Sequence, residues 1–332
     1  MGGSLLASSC RHLCGLLAVL LVMSFFAFCL QSVIPADPAR AVAGPSAPKE
    51  TVELVRKQLG LDEPIMVQYG RFLLRLARGD LGTSFRTRQP ITADISRHLP
   101  ATLELMAMSI FLGIVLAVGL ASLQLVFPRS GAVRVALIAI GSFPIFLSAL
   151  LLTFIFWFKL QMFPGSGRLT QSEFSGPTGL HIVDGLLTGH PFITLDALCH
   201  ILLPSLALAF PIAVAVGRTL GGALHDVMQQ PYIRTARGKG ISETRLVLLH
   251  GLRNSASAPL AMLGLQIRLL FGNLLIVERI FAWPGAGHYM VESLTSSDLP
   301  AVLGVSMVFG ALYIVVNIAI EVAQSIADPR IT

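Results

Sequence analysis

Apolar residues in this chain gather in runs the length of a bilayer crossing. A spanning helix needs about 20 consecutive apolar residues. Six runs meet that length: approximately Leu13 to Ile34, Ala101 to Phe127, Val135 to Phe158, Ala197 to Thr219, Ala256 to Ile280 and Ala301 to Val322. Amphipathic spacing is confined to the segment between the first two runs. There, in Glu50 to Leu59 and Ile65 to Ala77, Val52, Val55, Leu59 and then Tyr69, Phe72, Leu73, Leu76 recur near helical period. The expected fold is an all-α polytopic membrane protein with six transmembrane helices. Its expected organisation is an N-terminal segment with the first helix (1–34), a cap region (35–100) on the membrane surface or a pore rim, and a core domain (101–332) holding the other five helices.

Composition supports that class. The chain is 54% hydrophobic and 13% charged, against about 25% charge in a soluble domain. The formal charge of +6 would suit nucleic acid, but the basic residues are spread among loops beside apolar runs, so membrane orientation accounts for them and no nucleic-acid partner is expected. Six Lys/Arg (Arg218, Arg234, Arg237, Lys239, Arg245, Arg253) face two acids (Asp226, Glu243) between Arg218 and Arg253, and the turn Pro128 to Arg134 carries Arg129 and Arg134. The loops around 161 to 196 and 282 to 300 instead carry Glu173, Asp184, Glu292 and Asp298, with Arg168 the one base well inside them. A Lys/Arg excess marks the cytoplasmic side. Both termini are therefore expected there, and the cap outside. A basic loop also suits simple solvation or contact with anionic lipid head groups.

The first run follows Arg11 and precedes Ala41-Val42-Ala43, a small-residue pattern like a cleavage site. Its length of about 22 exceeds the roughly 7 to 15 of a signal core, which predicts an uncleaved helix. Cys10 has no apolar core before it, which argues against lipid attachment; it and Cys14, Cys29 and Cys199 read as small, apolar-tolerant residues.

The search for chemistry is negative. Gly238-Lys239-Gly240 lacks the spacing and hydroxyl of a phosphate loop, and no H-E-x-x-H, G-x-S-x-G or CxxC occurs. The histidines are scattered; His200 reads as hydrogen-bonded packing. The chain is expected to be non-catalytic, without metal or cofactor of its own, so uphill transport would draw on a partner or an ion gradient. Among polar residues in the runs, Glu104, Gln124 and Glu321 lie toward the ends, where snorkelling is cheap, and structural roles are expected of them. Gln266, Arg268 and Asn273 fall near the middle of the fifth run. An arginine there must face a pathway or a buried partner, a carboxylate of a neighbouring chain included.

Several blocks carry a resemblance: Pro35-Ala36-Asp37-Pro38-Ala39; Leu59-Gly60-Leu61-Asp62-Glu63-Pro64 with Gln68-Tyr69; Gly79-Asp80-Leu81-Gly82-Thr83-Ser84-Phe85; Leu99-Pro100-Ala101-Thr102-Leu103-Glu104-Leu105; His200 to Pro204; Tyr232 to Ser242 with His250-Gly251-Leu252-Arg253-Asn254; Val277 to Gly287; and Asp328-Pro329-Arg330-Ile331. In order and spacing the chain resembles the inner-membrane permease of binding-protein-dependent ABC importers, in the dipeptide/oligopeptide/nickel branch. The resemblance implies the type I importer permease fold in a bacterial inner membrane. It also implies a second permease subunit, two ATP-binding subunits that hold ATP and Mg, and an extracytoplasmic solute-binding protein. Within 226–254 it implies a cytoplasmic coupling helix that docks on an ATP-binding subunit, with Tyr232, Arg234, Thr235, Ala236, Arg237, Lys239, Gly240, His250, Arg253 and Asn254 as its contacts.

Arg234-Thr235-Ala236 stands where the wider family has Glu-Ala-Ala. Pro231 and Gly238 depart from the branch's usual Asp and Ala, which predicts a shorter helix. Glu278, Pro284, Gly285 and Gly287 are implied to be structural. Gln266, Arg268 and Asn273 are implied to line the pathway; the branch has small residues at 268 and 273, so this pathway should be narrower and more positive, favouring carboxylate-bearing solutes. Di- or oligopeptide is the leading solute; a nickel chelate, glutathione or another small solute suits the same class. An ion-coupled secondary transporter would be expected to show inverted repeats or acidic broken helices, and the sequence displays neither. A membrane enzyme would need a clustered nucleophile, base or metal site, and none appears.

Overall fold

A computed structural model describes residues 21–22, 24–26, 28–29, 38–44, 47–58, 60–127, 141, 143–170 and 174–327. Every regular element among them is helical; the one extended pairing is an isolated antiparallel bridge between Thr83 and Pro90. In chain order the helices are α1 (Pro38–Ala43), α2 (Lys49–Gln58), α3 (Ile65–Ala77), α4 (Ile91–Val126), α5 (Ile145–Lys159), α6 (His181–Leu187), α7 (Pro191–Met228) and α8 (Pro231–Gly238). A broken helix α9 follows (Glu243–Leu246, Val247–Gly251, Leu252–Ser255), then α10 (Ser257–Ile280), α11 (Ala286–Thr295) and α12 (Leu299–Ala327). By length and composition α4, α7, α10 and α12 can each cross a membrane, and α5 is a shorter apolar helix. The first expected span lies outside the described residues except at 21–22, 24–26 and 28–29, which are helical. The chain is thus an all-α polytopic membrane protein.

Two expected boundaries move. The helix expected from Ala101 begins at Ile91 and runs through Pro100, and the one expected from Ala197 begins at Pro191 and runs to Met228. Both extensions are turns too polar to register as membrane span. Pro191 suits its place, because the first helical position has no intrahelical use for an N–H. In α5 the last turns, Thr153–Lys159, widen to π geometry, and Thr153 Oγ1 donates 2.9 Å back to Ala149 O at the transition.

The described residues divide into two compact units, one of 1–99 with 289–315 and one of 100–288 with 316–332. In the second unit α7 is the central element, buried along most of its apolar length and packed on α5, α6 and α10. Its small residues permit close crossings. A Cβ on Gly217 would lie 3.0 Å from Ala117 O, so α4 and α7 meet backbone to backbone there. Gln124 closes the same crossing, donating to Leu120 O at 3.1 Å and Gly217 O at 3.2 Å. Gln124 thereby bridges two helices, a structural role.

In the first unit the cap is organised by side chains. Gln68 Nε2 donates to Leu61 O (3.0 Å) and Glu63 O (2.7 Å), holding the turn into α3. Tyr69 lies against Phe25 and Phe28, its hydroxyl 3.0 Å from Ser24 Oγ. The block Gly79 to Phe85 is fastened to residues far along the chain: Ser84 Oγ donates to Asp298 Oδ2 at 2.5 Å, and Arg86 N reaches the same oxygen at 3.1 Å. Arg86 pairs with Glu292 at 3.0 Å. Thr87 Oγ1 and the Tyr289 hydroxyl both donate to Asp94 Oδ2, at 2.6 and 2.8 Å. The expected cap of 35–100 therefore shares its compact unit with Tyr289–Val315, a segment its sequence gives no sign of needing.

Candidate functional site

The segment expected to couple to a partner forms a short, exposed helix between the long spans α7 and α10. Pro231 occupies the first turn of α8, as its fixed φ favours, and the helix ends after eight residues at Gly238. Gly240 follows with φ +80°, a left-handed conformation that only glycine adopts without strain. Ile233 is fully buried and anchors the helix, while Tyr232, Arg234, Thr235, Arg237, Lys239 and Gly240 are exposed and Ala236 is half-buried. Arg237 and Glu243 form a bidentate ion pair across the turn, its Nη2–Oε2 arm 3.0 Å. That contact raises the Arg237 pKa and lowers that of Glu243. In α9, Leu248, Leu249, Arg253 and Asn254 are exposed and His250 is half-buried; Asn254 Nδ2 donates to His250 O at 2.7 Å. The result is a mixed basic and apolar surface on a rigidly started, sharply ended helix.

Glu278, at the end of α10, is fully buried. Thr102 Oγ1 donates to its Oε1 at 2.6 Å and His288 N to its Oε2 at 2.8 Å, while Ala286 N donates 2.8 Å to Thr102 Oγ1. Trp283 Nε1 donates to Ala101 O at 2.9 Å. A Cβ on Gly285 would collide with the Glu278 carboxylate, and one on Gly287 would lie 2.8 Å from Oε2, so both glycines are required for the chain to wrap that group. The turn through Pro284 is thus built around one carboxylate and ties the end of α10 to α4. Glu278, Gly285 and Gly287 are brought together in this one turn. Thr102 was missed, although it stood within the Leu99 to Leu105 block, because a lone threonine in an apolar run carries no signal of its own.

Glu104 also has a structural place: both it and Arg168 are buried, joined at 2.5 Å. Glu104 Oε1 also accepts Ile182 N at 2.8 Å, Arg168 Nη2 donates to Gly179 O at 3.0 Å, and the guanidinium lies 5.5 Å from the Trp283 ring centroid. A charge buried this deeply is tolerated because it is both paired and hydrogen-bonded. Nearby, His181 is held down to a pKa of about 4 by burial and then by the Arg168 charge, with Asp184 opposing.

The three mid-span residues are not on one face. Arg268 is exposed on α10, while Gln266 and Asn273 are half-buried and turned away from it. Arg268 Nη2 donates to Asn317 Oδ1 of α12 at 2.9 Å, and Asn317 Nδ2 donates to Glu321 Oε1 at 2.8 Å. Glu321 is therefore bound within its own helix. His200 Nδ1 donates to Asp196 O at 2.9 Å and lies 3.3 Å from the same residue's carboxylate. No group of three metal-binding side chains is found among the described residues.

Long apolar helices joined by one short, exposed basic helix suit a multi-pass membrane protein, and comparison with known proteins gives its class. The chain belongs to the binding-protein-dependent transport system inner membrane components: that family's model matches residues 109–332, and the model of its N-terminal part matches residues 5–106. The chain is 36% identical to the probable D,D-dipeptide transport system permease protein DdpB of Escherichia coli K12, over 96% of this chain and 95% of that one. It is 33% identical to the glutathione transport system permease protein GsiC of Salmonella paratyphi A, over 97% of each. It is 32% identical to the dipeptide transport system permease protein DppB of Alkalihalophilus pseudofirmus, over 98% and 99%. The protein is accordingly a multi-pass inner-membrane component of a binding-protein-dependent importer, from a family of non-catalytic membrane subunits.

Proposed function

We propose that this chain forms, with a second permease, the pathway of an ATP-driven importer of di- or oligopeptides. Near-full-length similarity to the dipeptide and D,D-dipeptide permeases supports the solute class; a glutathione-like peptide suits the same reading. The observation that carries the mechanism is α8, a short exposed helix anchored by Ile233 between two spans. On this reading α8 and α9 face the cytoplasm with both termini and dock on one of two ATP-binding subunits, which hold ATP and Mg. An extracytoplasmic binding protein delivers solute to the opposite mouth. Closure of the nucleotide subunits pushes α8, and the attached spans rock between inward and outward states, a two-state element biased by nucleotide and by loaded binding protein.

The test is co-purification of the tagged chain with an ATP-binding subunit, followed by uptake of radiolabelled dipeptide into cells with and without the gene. Uptake abolished by deletion and dependent on ATP supports the proposal. Peptide uptake driven by a proton or sodium gradient without ATP would replace it with a secondary transporter.

A further inference from the structure

At mid-helix the exposed face of α10 carries charge where the exposed face of α4 does not. On α4 the outward positions include Phe111, Ile114, Val115 and Val118, all apolar, as lipid contact requires. On α10 the outward positions between Leu265 and Arg279 are Leu265, Arg268, Leu269, Gly272, Ile276 and Arg279. At 100° per residue Arg268 and Arg279 point within about 20° of one direction, and the helical rise puts them about 16 Å apart along the axis. Gly272 lies between them with open space where a Cβ would stand. The Arg268 guanidinium is oriented by the Asn317 amide, a neutral acceptor that is itself held by the Glu321 carboxylate, so Arg268 makes no direct ion pair there.

An arginine turned to hydrocarbon in mid-span is costly, so a face that carries Arg268 belongs against water or protein. A second cation in line, with a glycine opening the space between, points to water and a mobile anion. We infer that the face from Leu265 to Arg279 is a cationic, water-lined wall with two stations for solutes bearing free carboxylates, the inference resting on the proposed importer function. Arg279 receives the carboxylate at the helix end and Arg268 takes it over at mid-span. Two weak stations move an anion better than one strong one, since entry must be favourable while exit stays easy. Acidic peptides are the favoured cargo, and free cations are excluded.

The test uses the full chain in membrane vesicles with its co-purifying partners, Cys10, Cys14, Cys29 and Cys199 being replaced by Ser. Gly272→Cys, and Leu265→Cys as a second probe, are labelled with an anionic sulfonatoethyl and a cationic trimethylammonioethyl thiosulfonate. Each rate is normalised to a free thiol. The anionic reagent should react about tenfold faster, the kind of enrichment a charged cleft produces, and the ratio should fall toward one in Arg268→Gln and Arg279→Gln. In the same vesicles Arg268→Gln should lower uptake of Glu-Glu about tenfold more than uptake of Ala-Ala, since tenfold corresponds to about 1.4 kcal/mol. Two unreactive probes, or ratios near one in the parent, overturn the wall. A parent that takes up no peptide defeats the importer reading instead, and the labelling ratios still decide this inference.

Discussion

Thr102 and Glu278 are joined by a 2.6 Å hydrogen bond although 176 residues separate them. The threonine also accepts Ala286 N, so one hydroxyl serves a carboxylate and the start of α11 together. Thr102→Val strands both, and a buried polar group left without its partner costs about 1–3 kcal/mol. The melting temperature of the detergent-purified protein should drop for Thr102→Val and recover in Thr102→Ser. Equal melting of all three would show that the bond contributes nothing.

The Arg168–Glu104 pair makes an asymmetric prediction. Removing one partner leaves an uncompensated buried charge, at a cost of about 3–5 kcal/mol. Glu104→Leu or Arg168→Leu alone should reduce the yield of folded protein severely, and the double replacement should restore much of it. A double variant as poor as the sum of the singles would mean that the two charges act independently.

Coupling should fail at Gly240 for two separable reasons. Gly240→Glu adds both bulk and backbone strain at φ +80°, while Gly240→Asn tolerates that φ far better. Uptake should be lost in the first and largely kept in the second, at equal expression. Arg237→Ala removes an exposed ion pair and should alter stability little, so any loss of solute-stimulated ATPase activity in that variant reports on docking.

Two groups outside the spans set opposite pH dependences. The Tyr289 phenol is pushed up to about 12, first by burial and further by Asp94, to which it donates. Its contribution is complete below the unfolded value of 10.0 and disappears as pH rises through about 12. Tyrosinate absorbance should therefore include a late component that Tyr289→Phe removes. For His181 the folded value of about 4 lies below the ordinary histidine value of 6.5, so the unfolded chain binds a proton first as the solution is acidified. Stability should decline as pH falls from 6.5 to 4, and His181→Leu should flatten that slope.

Much of the fold was legible because hydrocarbon is an unselective solvent. Any stretch of some 20 apolar residues reads as a span, and the expected start at Ala256 lies one residue from the observed Ser257. The polar first turns of α4 escaped because Asp94, Arg97 and His98 look like loop to a hydropathy window, yet Asp94 is buried by Tyr289 and Thr87. The same reason hid Glu104 and Asp298, whose partners lie 64 and 214 residues away. Partners at such separations leave no local pattern. The early end of α8 was readable from Pro231 and Gly238, since backbone preference is local. The orientation of Arg268 away from Gln266 and Asn273 followed only once the helix had a face.

The contact of Gly217 with Ala117 has a mechanical consequence. Where side chains interdigitate, two helices can ratchet past one another by exchanging rotamers. Backbone resting on backbone offers no such gear, and the Gln124 amide pins the crossing further. A transport stroke that tilts α4 must therefore carry α7 with it as a single lever, leaving the slippage to joints where larger side chains meet.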